Sequence, residues 1–230
     1  MFWRLITSVK TVVGLGVVLL GLLLWGGFIM PASEEFSTIN SVGLFQWLRD
    51  ASFWAGWWLW GAVLVVGLMV LSALACIFES LKKLRSWKST ALRVSVELMH
   101  LGFCLIMFGH FLDAKGAYHR FYLLMEGAKL RYPDGHTLSY EGLDYFFTET
   151  IIGKIEAKFL SQEGETITIG PNRPYLYRGT GLYLKQFRGP QVMVELSYEP
   201  GALWALAGGL LFMAGSVMVF VFRLREKTVQ

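Results

Sequence analysis

The chain is poor in the residues that most often carry chemistry. Of 230 residues, only two are cysteine, four are histidine and six are proline. Both cysteines, Cys76 and Cys104, fall in apolar runs, so the polar part of the chain has no disulfide framework. No Cys-x-x-Cys occurs, which excludes a thioredoxin-like thiol pair. Histidines and cysteines are not clustered at zinc-site spacing. A Gly-rich phosphate loop is missing, as is any Ser/His/Asp arrangement. Carboxylates are almost absent from the long apolar runs, where Glu97 alone lies well inside one. A proton pump or ion transporter would need more of them.

Apolar length is what the chain does have. Hydrophobic residues make up 54% of it. Four runs, 11–30, 53–78, 94–112 and 202–222, reach the roughly 20 residues a helix needs to cross a hydrocarbon core. The first is longer than the ~7–15-residue core of a cleaved signal, and no small-x-small site follows it, so it is expected to be retained.

The net charge of +4 is spread unevenly. Arg4 and Lys10 precede the first run. Lys82, Lys83, Arg85, Lys88 and Arg93 join the second to the third, and Arg223, Arg225 and Lys227 follow the fourth. Glu34, Glu35 and Asp50 lie on the other side. The positive-inside rule then places both termini and the 79–93 loop in the cytoplasm, with 31–52 and 114–200 outside. Basic clusters at the ends of spans set topology, so they are not read as a nucleic-acid surface.

The expected fold is a membrane α protein with an extracytoplasmic β domain. Four transmembrane helices carry a small antiparallel β domain inserted between helices 3 and 4. Residues 1–113 form a three-helix region whose segment 36–50 lies at the interface, with Val42, Phe45 and Leu48 on one side and Trp47 nearby. Residues 114–200 form the β domain, and 201–230 the fourth helix and a cytoplasmic tail. Turn signals at Pro133-Asp134-Gly135, Glu163-Gly164 and Arg188-Gly189-Pro190 divide short alternating runs. The last two predict hairpins 154–161/166–169 and 182–187/192–198. Trp54, Trp57, Trp58 and Trp60 read as an aromatic belt in preference to a porphyrin-stacking surface. Ala205 and Gly209, with Gly208 beside them, predict close helix packing of the fourth run.

His100 is the informative residue. It sits inside the third run, about 10 Å of helix rise beyond Arg93. Glu97 and Cys104, one turn to either side, share its face. An ionisable ring at that depth needs a reason. One is ligation of haem iron by one ring nitrogen, with Glu97 holding the other. The other is a structural Glu–His pair, and both stay open on spacing alone. His110 lies ~15 Å further along and roughly 80° round the helix, so the two cannot ligate one iron together. It reads as an interfacial polar residue, and His119 and His136 as solvated. A six-coordinate haem then needs a second ligand from another subunit.

Several motifs in order resemble the ResB (CcsB) family of system II cytochrome c biogenesis. They are ITSVKTVVGLG at 6–16, residues 44–58 followed by Ala75-Cys76, ELMHLGFCLIMFG at 97–109, LMEG at 124–127, NRPYLYRGTGLYL at 172–184 and the Pro-Gly exit within 198–215. The resemblance implies a bacterial inner-membrane protein acting with a CcsA/ResC-type partner. Together they would carry haem across the membrane and attach it to Cys-x-x-Cys-His sites of apocytochrome c. It implies that His100 is an intramembrane axial ligand, with haem held transiently and shared with the partner. The chain itself would be an accessory subunit, not catalytic alone. Its polar domain is short for that family. The competing expectation is a non-catalytic membrane subunit of a respiratory or electron-transfer complex, and a small transporter is a weaker third.

Overall fold

The computed structural model describes residues 6–83, 90–147 and 152–228. Arg4, Arg85 and Lys88, and with them part of the basic 79–93 loop, lie outside these residues. The long helices are α1 (Val9–Ile29), α3 (Phe53–Lys83), α4 (Thr90–Gly116) and α5 (Ala202–Thr228), with a short α2 (Leu44–Asp50) before α3. All four long helices are long and apolar enough to cross a membrane. The chain is a multi-pass membrane protein. Among the described residues eight strands precede α5 in the sequence: β1 (Tyr118–Leu124), β2 (Lys129–Arg131), β3 (Thr137–Phe147), β4 (Ile152–Ser161), β5 (Thr166–Ile169), β6 (Tyr175–Tyr177), β7 (Thr180–Arg188) and β8 (Gln191–Tyr198).

Two compact units result. One combines Met1–Ile39, Leu44–Lys115 and Pro200–Gln230; the other combines Asn40–Gly43 and Gly116–Glu199. The last helix therefore belongs with the first three.

In the helical unit, α1 ends where Pro31 enters a 3-10 turn, Met30–Ala32. The start of α3 is capped twice. Ala55 N donates to Ser52 Oγ at 3.3 Å, and the Glu35 carboxylate accepts from Ser52 N at 2.6 Å and Ser52 Oγ at 3.1 Å. These bonds satisfy end groups that the helix itself leaves unpaired, and the anion favours the positive helix end.

The segment before α3 is folded onto it. Phe36 stacks on Trp47 with centroids 5.1 Å apart, and Leu48 Cδ2 lies 3.2 Å from where a Cβ on Gly56 would stand. Phe36, Trp47, Leu48 and Trp58 are all buried. Of the apolar residues expected on an interfacial surface, Leu48 and Trp47 are covered by protein, and Val42 and Phe45 are half-buried. The belt reading divides for the same reason. Trp54, Trp57 and Trp60 are exposed, whereas Trp58 is buried against Gly26 of α1.

Helices α4 and α5 run antiparallel in backbone contact. A Cβ at Gly102 would lie 2.6 Å from Gly208 O, one at Gly109 2.7 Å from Gly201 O, and one at Gly215 2.6 Å from Ser95 O. Ser95, Gly102 and Gly109 face Gly215, Gly208 and Gly201, each series spaced by seven residues. That repeat keeps one small-residue seam in register along the two helices. Asp113 Oδ1 accepts from Gly201 N at 2.7 Å, which ties the seam at its end. The sequence signal at Gly209 is off by one: nothing lies within 4 Å of its Cβ position.

The β unit is a sandwich of two four-stranded antiparallel sheets, ordered β1-β8-β7-β6 and β2-β3-β4-β5. Alternation fills its core: Leu138 and Tyr140, Ala157 and Phe159, and Val192, Val194 and Leu196 point inward and are fully buried. The buried Tyr140 hydroxyl donates to Pro190 O at 3.2 Å, so this core polar group is satisfied. Both predicted hairpins form, β4 with β5 and β7 with β8. The first strand instead pairs with the last, Tyr118 opposite Tyr198 through Leu124 opposite Val192.

The glycine seam gives a paired test. Gly208→Ala forces its methyl into the Gly102 carbonyl and should destabilise the protein by about 1–3 kcal/mol, the usual scale of overpacking. Gly209→Ala, one residue on, meets open space and should be close to neutral. Thermal unfolding of the detergent-solubilised chain reads both; equal effects would contradict the seam.

Candidate functional site

The third apolar run puts His100 on the wall of a cavity in the helical unit. Its volume is about 430 Å³, within the ~300–1,000 Å³ range of small-molecule sites. From α4 the wall takes Val96, Met99, His100 and Phe103, an i, i+3, i+4, i+7 stripe. From α3 it takes Met69, Ser72, Ala73 and Cys76, again one helical face. The lining is almost wholly apolar. Ser72 is already engaged, donating to Ile6 O at 2.6 Å.

The His100 ring is oriented from its own helix. Nδ1 lies 3.4 Å from Glu97 Oε2, a long contact between side chains 31% and 25% exposed. With Nδ1–H donating to the carboxylate, Nε2 carries the lone pair. Glu97 therefore stands where the spacing predicted. Cys104 is half-buried and is not part of the cavity wall; Cys76 is the cysteine that lines it. The stripe that faces the cavity runs through Val96 and Phe103, and Cys104 falls beside it. Spacing on α4 alone could not reveal Cys76, because that depends on how α3 is rotated towards α4.

The donor set is one imidazole with thioether or thiol sulfur from Met69, Met99 and Cys76. Soft sulfur with imidazole suits iron or copper better than magnesium or calcium. Met99 is held against α5, its Cγ 2.8 Å from the Cβ position of Gly215. Among the described residues no group of three His, Cys, Asp or Glu side chains could hold a metal ion. A haem-type group is different, since its iron needs only axial ligands and its macrocycle favours apolar walls. The residues present fit such a group: a pre-oriented ring, an apolar cavity and little competing polarity.

The remaining histidines do not line this cavity. His110 is exposed on α4. His119 and His136, expected to be solvated, are half-buried and engaged by neighbouring side chains. His136 stacks on Tyr177 with centroids 4.3 Å apart, and its Nε2 and the Tyr132 hydroxyl are buried with no hydrogen-bond partner. Burial pushes the Tyr132 phenol far up, so it stays protonated. His119 contacts Glu195, which lies on β8 and is 76 residues away in sequence. Only the β1–β8 pairing reveals that contact.

Glu195 is a nearly buried carboxylate with two cationic neighbours. Lys185 Nζ lies 2.5 Å from its Oε2 and His119 Nδ1 lies 2.7 Å from its Oε1. Burial works to raise this carboxyl, but the bonds from Lys185 and His119 outweigh it and the net shift is downward.

No family model matches the chain, and no curated protein does. The ResB resemblance therefore rests on its motifs alone. A solved structure named "Cytochrome c Heme Lyase CcmF" is similar at 14% identity and a TM-score of 0.48. The alignment covers 92% of this chain and 34% of that one, so this chain spans about a third of its length. A likeness at that level leaves the chemistry to be argued from the site.

The Glu195 pairing yields a pH expectation. A carboxyl held below its ordinary value adds stability above the unfolded pKa of ~4.3, and loses it as pH falls through the folded value. Lys185→Met should therefore weaken the β unit at neutral pH by about 1–3 kcal/mol, the range for stranding a buried polar group. It should also raise the pH at which acid unfolds that unit. Amide exchange of residues 182–196 measures both, and an unchanged acid midpoint would contradict the pairing.

Proposed function

We propose that the chain is a haem-handling subunit of a cytochrome c maturation complex. His100 would hold the iron of an intramembrane haem through Nε2, and Glu97 would keep the ring in the tautomer that leaves Nε2 free. One observation carries this reading: among the described residues, the one imidazole on the wall of an apolar cavity of about 430 Å³ has its other ring nitrogen facing a carboxylate. Haem, when bound, supplies an iron centre that takes an imidazole and a macrocycle that prefers apolar surroundings. This chain's residues bind and orient; the reaction chemistry belongs to a CcsA/ResC-type partner, which would also give the second imidazole. The β unit faces outward, where apocytochrome c is presented, and both termini are cytoplasmic.

A second reading is favoured by the sulfur of Met69 and Cys76 on the α3 wall. A haem ligated entirely within this chain would stay bound, as in a membrane subunit of an electron-transfer complex. Absorption spectra of the chain purified with and without its partner separate the two. Under the first reading, stable low-spin haem requires the partner; under the second, it does not.

His100→Ala should remove the intramembrane haem and abolish cytochrome c maturation. Glu97→Gln should keep the haem but weaken it by about tenfold or more, as loss of a supporting carboxylate does at metal-bound histidines. A His100→Ala complex with full haem and full cytochrome yield would sink the proposal.

Orientation can be tested separately. In a Cys76→Ser/Cys104→Ser background, Glu163→Cys should react with a membrane-impermeant maleimide added outside intact cells, and Arg223→Cys should not. The reverse pattern would invert the topology.

A further inference from the structure

The segments by which the chain enters and leaves the β unit meet at one side chain. The His119 backbone N–H donates to Asn40 O at 2.8 Å, which holds the 40–43 segment to β1. Its ring reaches the other end of the unit. Nδ1 lies 2.7 Å from Glu195 Oε1 on β8 and 3.2 Å from Ser197 Oγ. Nε2 lies 3.4 Å from Oε1 of Glu199, the residue before Pro200. The Ser197 hydroxyl in turn donates to Glu199 Oε1 at 3.4 Å.

The protons can be placed by elimination. Ser197 Oγ–H goes to Glu199, so it is not available to His119 Nδ1. Nδ1 must then carry the hydrogen that bonds Glu195, which is ionised. A neutral imidazole has one N–H, so its Nε2 would turn a lone pair on the Glu199 carboxylate. Only the imidazolium, charged and protonated at both nitrogens, keeps the Glu195 bond and also attracts the Glu199 carboxylate as an ion pair. Around the ring, β8 contributes Glu195, the segment after it contributes Glu199, and β7 contributes Lys185, whose charge is taken up by the far oxygen of Glu195. Glu199 is the exposed and movable member, with 49% of its side chain accessible against 9% for Glu195.

We propose that His119 is a proton-operated fastener at the open end of the β unit, holding Glu199 when its ring is charged and releasing it when neutral. The Glu195 contact persists in both states, because Nδ1–H serves it in both. The switched element is the Glu199 segment, the last residues before the chain turns into α5. The sign follows from the donor count: the Glu199 contact is present when the ring carries both protons and is lost when Nε2 gives its proton up, so it belongs to the lower-pH form.

Hydrogen exchange of the full chain in detergent micelles tests this, with intrinsic rates divided out, at about pH 5.5 and about pH 8. Peptides covering 118–120 and 193–199 should be about two- to fivefold better protected at the lower pH, the size of an exposed ion pair. Peptides of β3 and β4 should not change. Glu199→Gln, a substitution at an exposed position, should erase the difference, and Glu163→Gln should leave it intact. Equal protection at both pH values overturns the proposal. So does a pH effect that spreads evenly over the whole β unit, or one that survives in Glu199→Gln.

Discussion

Backbone contact between α4 and α5 is the constraint on which the helical unit depends. Inside a bilayer, apolar side chains gain little by leaving lipid for each other, so helices associate where backbones can come close. Gly102 and Gly109 give α4 one face without side chains, and Gly208 and Gly201 give α5 the matching face. That contact fixes the rotation of α4. His100 is two residues before Gly102 and so lies about 160° round the helix from it. The seam therefore turns His100 away from the glycine contact, to the side where Met69 and Cys76 of α3 complete the cavity. A residue with no direct part in the site decides which way the site faces.

In the β unit, closure plays the corresponding part. Hairpins β4–β5 and β7–β8 are local, but β1 must find β8 some seventy residues away before the sheets can share a core. Such a long loop is closed at an entropic penalty that grows slowly with its length. The penalty is offset by the fully buried row Val192, Val194 and Leu196, which packs only once both sheets are present. The same pairing brings His119 beside Ser197 and, one step diagonally, Glu195. A polar cluster with a nearly buried carboxylate is thus assembled by the last pairing, at the end of the unit where the chain enters and leaves.

Those two facts explain what the amino-acid order revealed and what it hid. Long apolar runs are self-declaring, since crossing a bilayer needs only length and composition, and all four were read. The hairpins at Glu163-Gly164 and Arg188-Gly189-Pro190 were legible because turn chemistry is local. The eleven-residue β3 was not, because its alternation breaks at a bulge between Tyr140 and Gly142, where Gly142 takes φ 146°. Glu97 beside His100 was legible because one turn of a helix is a local relation. Cys76 on the cavity wall, Trp58 under Phe36, and His119 against Glu195 were not, since each depends on the rotation or register of a second element. Polar histidines in a domain rich in turns look solvated until the partner strand is known.

Glu97 and His100 form an ionisable pair on the apolar part of α4, and the form of that pair limits what the cavity can hold. A charge at membrane depth is expensive, and a carboxylate beside an imidazole reduces the expense only while the two share a proton. If the ring were protonated and left Glu97, both charges would stand alone in apolar surroundings. Nδ1 is thereby reserved for the carboxylate, and any guest must be met through Nε2. A guest that gave Nε2 a proton would create an imidazolium, in a desolvated ion pair with Glu97, against the apolar wall of Met69, Phe103 and Ala73. A guest that accepts the lone pair creates none. The cavity therefore favours an electron-pair acceptor carried in a large apolar body over a proton donor or an anion. That preference follows from the Glu97–His100 geometry and the apolar lining together; neither alone would impose it.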